Sequence, residues 1–204
     1  MSVLIIDYGM SNLGSIKRAF EEIGAITEIS SDPEKLKSAT RIVLPGVGAF
    51  PDGMKNLRAM GLVSAIQKAV REEKIPLLGI CLGMQLLADT GYEGEPSEGL
   101  GLIPGEVRRL IPNSPFIRIP HVGWNEVHRT GENSLFTDIP DGSDFYFVHS
   151  YHFVPKEPAD ILAMTPYCGG FASALIRNNI AGVQFHPEKS GRPGFQLLTN
   201  FLNM

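Results

Sequence analysis

Cys81 stands between Gly79 and Gly83, just after the apolar run Pro76-Leu77-Leu78 and just before a stretch of helical character. A cysteine framed this way fits a nucleophile elbow, a tight strand-to-helix turn that pushes one side chain out over the end of a sheet. Glycine is needed two residues to either side because neighbouring backbone crowds the turn and a Cβ there would collide. The rule is stated for serine hydrolases. Extended to cysteine, it sets the sulfur beside a helix N-terminus, whose field favours thiolate over thiol.

A thiol nucleophile needs a base, and the base needs an orienting acceptor. Gln184-Phe185-His186-Pro187-Glu188 offers both. His186 follows a strand-like run and should emerge at a strand end, on the same sheet edge as the elbow. Pro187 stiffens the link to Glu188, whose carboxylate can hold one imidazole nitrogen while the other faces Cys81. The result would be a Cys81–His186–Glu188 triad, the thiol counterpart of the serine arrangement. A histidine at a strand end is also commonly satisfied by backbone groups alone. The third segment is Pro45-Gly46-Val47-Gly48. Its glycines let backbone present an N–H to an oxyanion, and Leu82 N–H, following the nucleophile, would be a second donor. Glycine-rich strand ends also serve plain turns, so the weight lies in all three segments mapping to carboxyl ends of strands, where α/β sites collect.

Several elements must position these groups. Val3 to Asp7 reads as a buried strand, followed by Leu13, Ile16, Phe20 and Ile23 at helical spacing and by Gly24 as a stop. Ile26 to Ile29 suggests a second strand, and Asp32-Pro33 an N-cap with proline at the first helical position. Arg41 to Leu44 is a third strand; a helix over about Leu62 to Glu73 leads to the strand at Leu77–Ile80. Strands separated by helices imply a central, mostly parallel sheet with helices on both faces. From about Gly105 to Gln184 the pattern changes to short β-branched and aromatic runs, an added antiparallel or mixed β portion with a hairpin near Asn178-Asn179. A closing helix runs from roughly Gly194 to Leu202. No repeat or linker divides residues 1–204, so one α/β domain is expected.

The net charge of −4 argues against nucleic acid or anionic membrane as a main partner. No apolar run approaches the roughly 20 residues that span a bilayer, and Met1 to Asp7 reads as a strand, not a signal peptide. The two cysteines, Cys81 and Cys168, imply no disulfide framework, so a reduced, cytoplasmic setting is expected.

Taken together, Gly79–Gln85, the Pro45–Phe50 loop and Gln184–Ser190 resemble the class I (triad-type) glutamine amidotransferases, and these motifs span nearly the whole chain. Asp7-Tyr8-Gly9-Met10-Ser11-Asn12-Leu13, His121-Val122-Gly123-Trp124-Asn125 and Phe147 to His152 resemble the branch whose members feed a (β/α)8-barrel cyclase. The resemblance implies a flavodoxin-like architecture and L-glutamine as substrate. It implies Cys81 as nucleophile, His186 as base and acid, and Glu188 as orienting group. Leu82 and, after a local flip, Val47 would form the oxyanion hole; Gly48, Gln85, Ser150 and Tyr151 would hold glutamine. Ammonia would pass to the cyclase in a heterodimer, with Asn12, Trp124 and Lys189 at the partner interface. No metal or cofactor is implied.

Other readings stand beside these. Cys168 lacks the elbow spacing and a basic neighbour and reads as an inert thiol. His149 and His152 would face opposite sides of one strand, with no third ligand nearby, so they do not make a metal pair. His121 and His128 read as surface or loop residues, Met10-Ser11-Asn12 as a plain helix N-cap, and Lys189 by default as a solvated charge. An amidotransferase subunit of another synthase (anthranilate or aminodeoxychorismate), a stand-alone γ-glutamyl cysteine hydrolase and a non-catalytic binding module are the competing functions.

Overall fold

A computed structural model describes residues 1–204. Strands β1 (Ser2–Ile6), β2 (Ile26–Ser30), β3 (Ile42–Gly46) and β4 (Leu77–Cys81) alternate with helices α1 (Leu13–Glu22), α2 (Phe50–Ala59) and α3 (Leu62–Arg71). The reason is visible along β1: Val3 and Ile5 enter one core cluster while Leu4 and Ile6 enter the other. A strand buried on both faces must be apolar throughout, as parallel strands under two helical layers are. Helix α1 buries Ile16 and Phe20 on the first face, whereas α2 and α3 bury Met54, Leu57, Ile66 and Val70 on the second. Gly24, at φ +84°, ends the α1 segment with a conformation that a Cβ disfavours.

Beyond β4 come α4 (Leu82–Gln85), β5 (Thr90–Gly91), β6 (Ser97–Glu98), β7 (Gly105–Arg109), β8 (His121–Arg129), β9 (Ser143–His149) and β10 (Tyr151–Pro155). The chain continues through β11 (Ile161–Thr165), β12 (Phe171–Arg177), β13 (Ile180–Val183) and α5 (Gly191–Leu202). Nine strands form one sheet in the order β2-β1-β3-β4-β13-β12-β11-β8-β9. Pairing is parallel from β2 to β13 and antiparallel from β13 to β9, so the added β portion continues the same sheet. A second sheet has the order β10-β7-β5-β6. The hairpin between β12 and β13 turns at Asn178-Asn179, with Asn178 at φ +56°.

Three local features depart from the expectations. Helix α2 has no counterpart among them, although Phe50, Met54 and Leu57 recur at helical spacing and all are buried. Asp32 does cap, its side chain accepting from Glu34 N–H at 2.9 Å, but the capped segment, Pro33–Ser38, is a 3-10 helix and not an α-helix. His149 and His152 do not share a strand. His149 ends β9 in the large sheet and His152 lies in β10 of the small one, because the chain changes sheet at Ser150.

Candidate active site

β3, β4 and β13 lie side by side and parallel, with Gly46 paired to Cys81 and Val183 to Ile80, so their carboxyl ends meet at one edge. Cys81 adopts φ +54° and ψ −110°. For a residue with a Cβ that conformation costs about 1–3 kcal/mol and persists only where packing over-determines it. The packing is explicit. A Cβ on Gly79 would stand 2.7 Å from Gly83 O, and one on Gly83 would stand 1.7 Å from Leu44 O on the neighbouring strand. The glycines on either side of the elbow are therefore needed for different reasons, one inside the turn and one against β3. The helix after the elbow is shorter than the sequence suggests, since α4 spans 4 residues. A single turn aligns few peptide dipoles, which leaves the charges around Cys81 to come from side chains.

His186 lies past the end of β13, 3 % exposed. Its backbone N–H donates to Tyr146 O at 2.9 Å, and its carbonyl accepts from Ser190 Oγ at 2.6 Å. Ser190 Oγ in turn accepts from Tyr146 N–H at 3.0 Å, so this hydroxyl ties His186 to β9. Nδ1 is 2.8 Å from Glu188 Oε1, a carboxylate whose side chain is only 2 % exposed. Nε2 lies next to the Cys81 sulfur without meeting hydrogen-bond geometry, and it has no other partner. Burial alone would push the His186 pKa down, but Cys81 and Glu188 together outweigh it and raise it to about 10. Both partners therefore favour the charged form of the ring.

A cavity of about 340 Å³ opens over the sulfur. It is lined by Val47, Gly48, Cys81, Leu82 and Gln85, and by the corner from Val148 to Tyr151 where the chain passes between sheets. All the residues that sequence analysis assigned to glutamine and to the oxyanion thus share one cavity with Cys81. Two of them are committed elsewhere in part. Val47 N–H donates to Met10 O at 2.7 Å, and Gln85 Nε2 donates to Tyr151 O at 2.9 Å and Gln184 Oε1 at 3.0 Å. For Gln85 this leaves Oε1 to meet a ligand. Asn12, Trp124 and Lys189 lie on the exposed surface. Trp124 and Lys189 converge on one ring, Tyr146, at 6.0 and 5.7 Å.

Several residues at the site carried no assigned role in the sequence. Glu93 lines the cavity and accepts Phe50 N–H at 2.8 Å, yet it comes from a charged turn that reads as solvated loop. Tyr8 is fully buried, and a Cβ on Gly46 would stand 2.1 Å from its hydroxyl. Burial and the nearby Cys81 both raise its pKa, so it stays neutral. His121 is a correction: it is 3 % exposed, stacked on Tyr167 at 3.9 Å, not a surface or loop residue. Its strand position reads as alternating, and nothing local reveals that Tyr167 folds over it. His128 is exposed, as expected. Cys168 is a free, partly buried thiol whose pKa burial raises, consistent with an inert role.

The fold has solved relatives at the level of architecture. A Thermotoga maritima structure described as PurLQS aligns with a TM-score of 0.76, at 20% identity, over 99% of this chain and 97% of that one. A structure described as a glutamine amidotransferase aligns with a TM-score of 0.74, also at 20% identity, over 98% and 97%. These likenesses show a shared α/β fold. Residues 4–204 match the family described as glutamine amidotransferase class-I, and the chain belongs to that family. Among curated relatives, the imidazole glycerol phosphate synthase subunit HisH of Moorella thermoacetica is 50% identical over 98% of this chain and 93% of its own length. HisH 2 of Methanococcus maripaludis is 46% identical over 98% of each chain. HisH 1 of Campylobacter jejuni (strain RM1221) is 44% identical over 99% of this chain and all of its own length.

Proposed function

We propose that the chain, as one amidotransferase domain over residues 1–204, is the glutaminase subunit of an imidazole glycerol phosphate synthase in histidine biosynthesis. The observation that carries this reading is the 50% identity to a HisH subunit along 98% of the chain. In the cytoplasm it pairs with a (β/α)8-barrel cyclase as a heterodimer and supplies it with ammonia. The cyclase uses that ammonia to make imidazole glycerol phosphate and an aminoimidazole carboxamide ribotide. The free cysteines are compatible with a reducing compartment. No helix is long and apolar enough to cross a membrane.

The chemistry follows from the site. The Cys81 sulfur attacks the side-chain amide carbon of glutamine, and its proton resides on His186. The C–N bond of the tetrahedral intermediate then breaks, His186 gives the proton to departing ammonia, and a γ-glutamyl thioester remains. Water, deprotonated by the same imidazole, attacks the thioester carbon; the C–S bond breaks, His186 returns the proton to the sulfur, and glutamate leaves. Glu188 holds the ring by Nδ1 and offsets its charge. Leu82 N–H is one oxyanion donor. Val47 N–H becomes the second only when it leaves Met10 O, so the resting hole is incomplete and partner docking, near Lys189 and Trp124, completes it.

A glutaminase assay with and without the cyclase and its nucleotide tests the reading. Turnover should be low for the chain alone and rise when both are added, and Cys81→Ala should abolish it while the fold persists. Full turnover without a partner would favour a stand-alone γ-glutamyl hydrolase, and unchanged turnover in Cys81→Ala would reject the mechanism.

A further inference from the structure

Two hydrogen-bonded branches meet at one backbone oxygen beside the cavity, Tyr151 O. It accepts from Gln85 Nε2 at 2.9 Å and from His149 Nδ1 at 2.8 Å. A carbonyl oxygen can only accept, so its partners must both be N–H groups, and this dictates every atom further along. On the first branch the Gln85 amide nitrogen also reaches Gln184 Oε1 at 3.0 Å. The other end of the Gln184 amide, Nε2, is then the group 3.8 Å from Cys81 Sγ. On the second branch His149 carries its proton on Nδ1, so Nε2 accepts from His121 Nδ1 at 3.1 Å. His121 Nε2 must then accept from Asn125 Nδ2 at 3.2 Å. Asn125 is oriented independently, because its Oδ1 accepts Glu126 N–H at 2.9 Å. Backbone groups thus pin the relay at Tyr151 and at Asn125, and the two pins demand the same direction.

We propose that Asn125, His121, His149, Gln85 and Gln184 form a positioning relay, its two branches converging on Tyr151 O, that makes Gln184 present its N–H, and not its own carbonyl oxygen, to the Cys81 sulfur, whose other polar neighbour is Val148 O at 3.9 Å. A glutamine side chain is nearly symmetric in shape. Without an imposed direction Gln184 could turn its oxygen toward the sulfur, where it would oppose the negative charge that nucleophilic attack requires. Held as it is, Gln184 stabilises that charge by a charge-assisted donor. The second branch fixes the Tyr151 carbonyl, the acceptor that sets the direction of Gln85. It works only while both rings are neutral, since a second ring N–H on either would oppose its neighbour. Burial provides this, depressing the pKa to about 4 for His121 and to about 3 for His149. The relay also begins one residue from exposed Trp124, on the strand whose face is assigned to the partner.

The inference rests on the glutaminase reading above, and the test keeps the two apart. Glutamine turnover is measured with the cyclase present for wild type, Cys81→Ala, Gln184→Leu and Gln184→Glu. An inactive wild type or an active Cys81→Ala sinks the glutaminase reading alone. Given an active wild type, Gln184→Leu should lower kcat about tenfold or more with KM nearly unchanged, since it removes a charge-assisted donor outside the cavity lining. Gln184→Glu, although closer in shape, should be worse than Gln184→Leu because it presents an acceptor to the sulfur. A role in packing alone predicts the reverse order, and that result overturns the relay. Independently of turnover, nitrogen-15 spectra of the wild-type imidazoles should show neutral rings protonated at Nδ1 for both His121 and His149. A proton on Nε2 of either also overturns it.

Discussion

The His186 ring lies between the Glu188 carboxylate, 2.8 Å from Nδ1, and the Cys81 sulfur. Its pKa near 10 reflects burial outweighed by Cys81 and Glu188, so removing either partner should bring it down. We expect nuclear magnetic resonance titration of Cys81→Ala and of Glu188→Gln to place the His186 midpoint well below the wild-type value. An unchanged midpoint would mean that neither group interacts with the ring. Stability should follow the same shifts. The folded pKa of His186 is raised above the unfolded value near 6.5, so its contribution is full below that pH and is lost as pH rises through about 10. His121 and His149 work in the opposite sense. With folded values of about 4 and about 3, the unfolded chain binds more protons below pH 6.5, so stability falls as pH drops from there toward 4. Urea denaturation from pH 4 to 10 should therefore give a curve that declines at both ends, and His121→Phe should flatten the acid side.

Among the elements, the elbow tolerates the least. A Cβ at Gly83 would overlap Leu44 O at 1.7 Å, and that oxygen belongs to the central strand β3, which cannot retreat without leaving β4. Gly83→Ala should cost about 3 kcal/mol or more, at or beyond the usual range for overpacking. Gly14 in α1 is the control. It has no atom within 4 Å of its would-be Cβ and no positive φ, so Gly14→Ala should stabilise by about 0.5–1 kcal/mol. Chemical denaturation of both variants checks the contrast, and equal effects would refute this account of the turn. The corner at Ser150 is the other element that makes the site. By handing the chain from the large sheet to the small one, it opens the cavity above β4.

For the whole molecule, exposed Trp124 and Lys189 converge on Tyr146, while β9, which carries Tyr146, also anchors His186 through Ser190. The exposed surface and the His186 backbone are thus linked through β9 and Ser190. Trp124, 57 % exposed, suits a docked partner. Trp124→Ala should weaken cyclase binding by about 2 kcal/mol, the usual scale for an interface tryptophan, without changing turnover of the isolated chain. Calorimetric titration with the cyclase checks it; unaltered affinity would move the interface elsewhere.

The elbow, the two helical layers and the His186–Glu188 pair were legible in the primary structure because each depends on local rules: glycine where backbone crowds, apolar residues where both strand faces are buried, a carboxylate two residues from a ring. The sheet change at Ser150, the burial of His121 under Tyr167 and the commitment of Val47 N–H to Met10 were not. Each depends on contacts between segments far apart along the chain, and neither periodicity nor spacing carries their partners' identities. Residue order determined which groups could do chemistry here. Only the packing of one segment on another decided which atom of each group faces the sulfur, because the direction of a hydrogen bond is set by its partner.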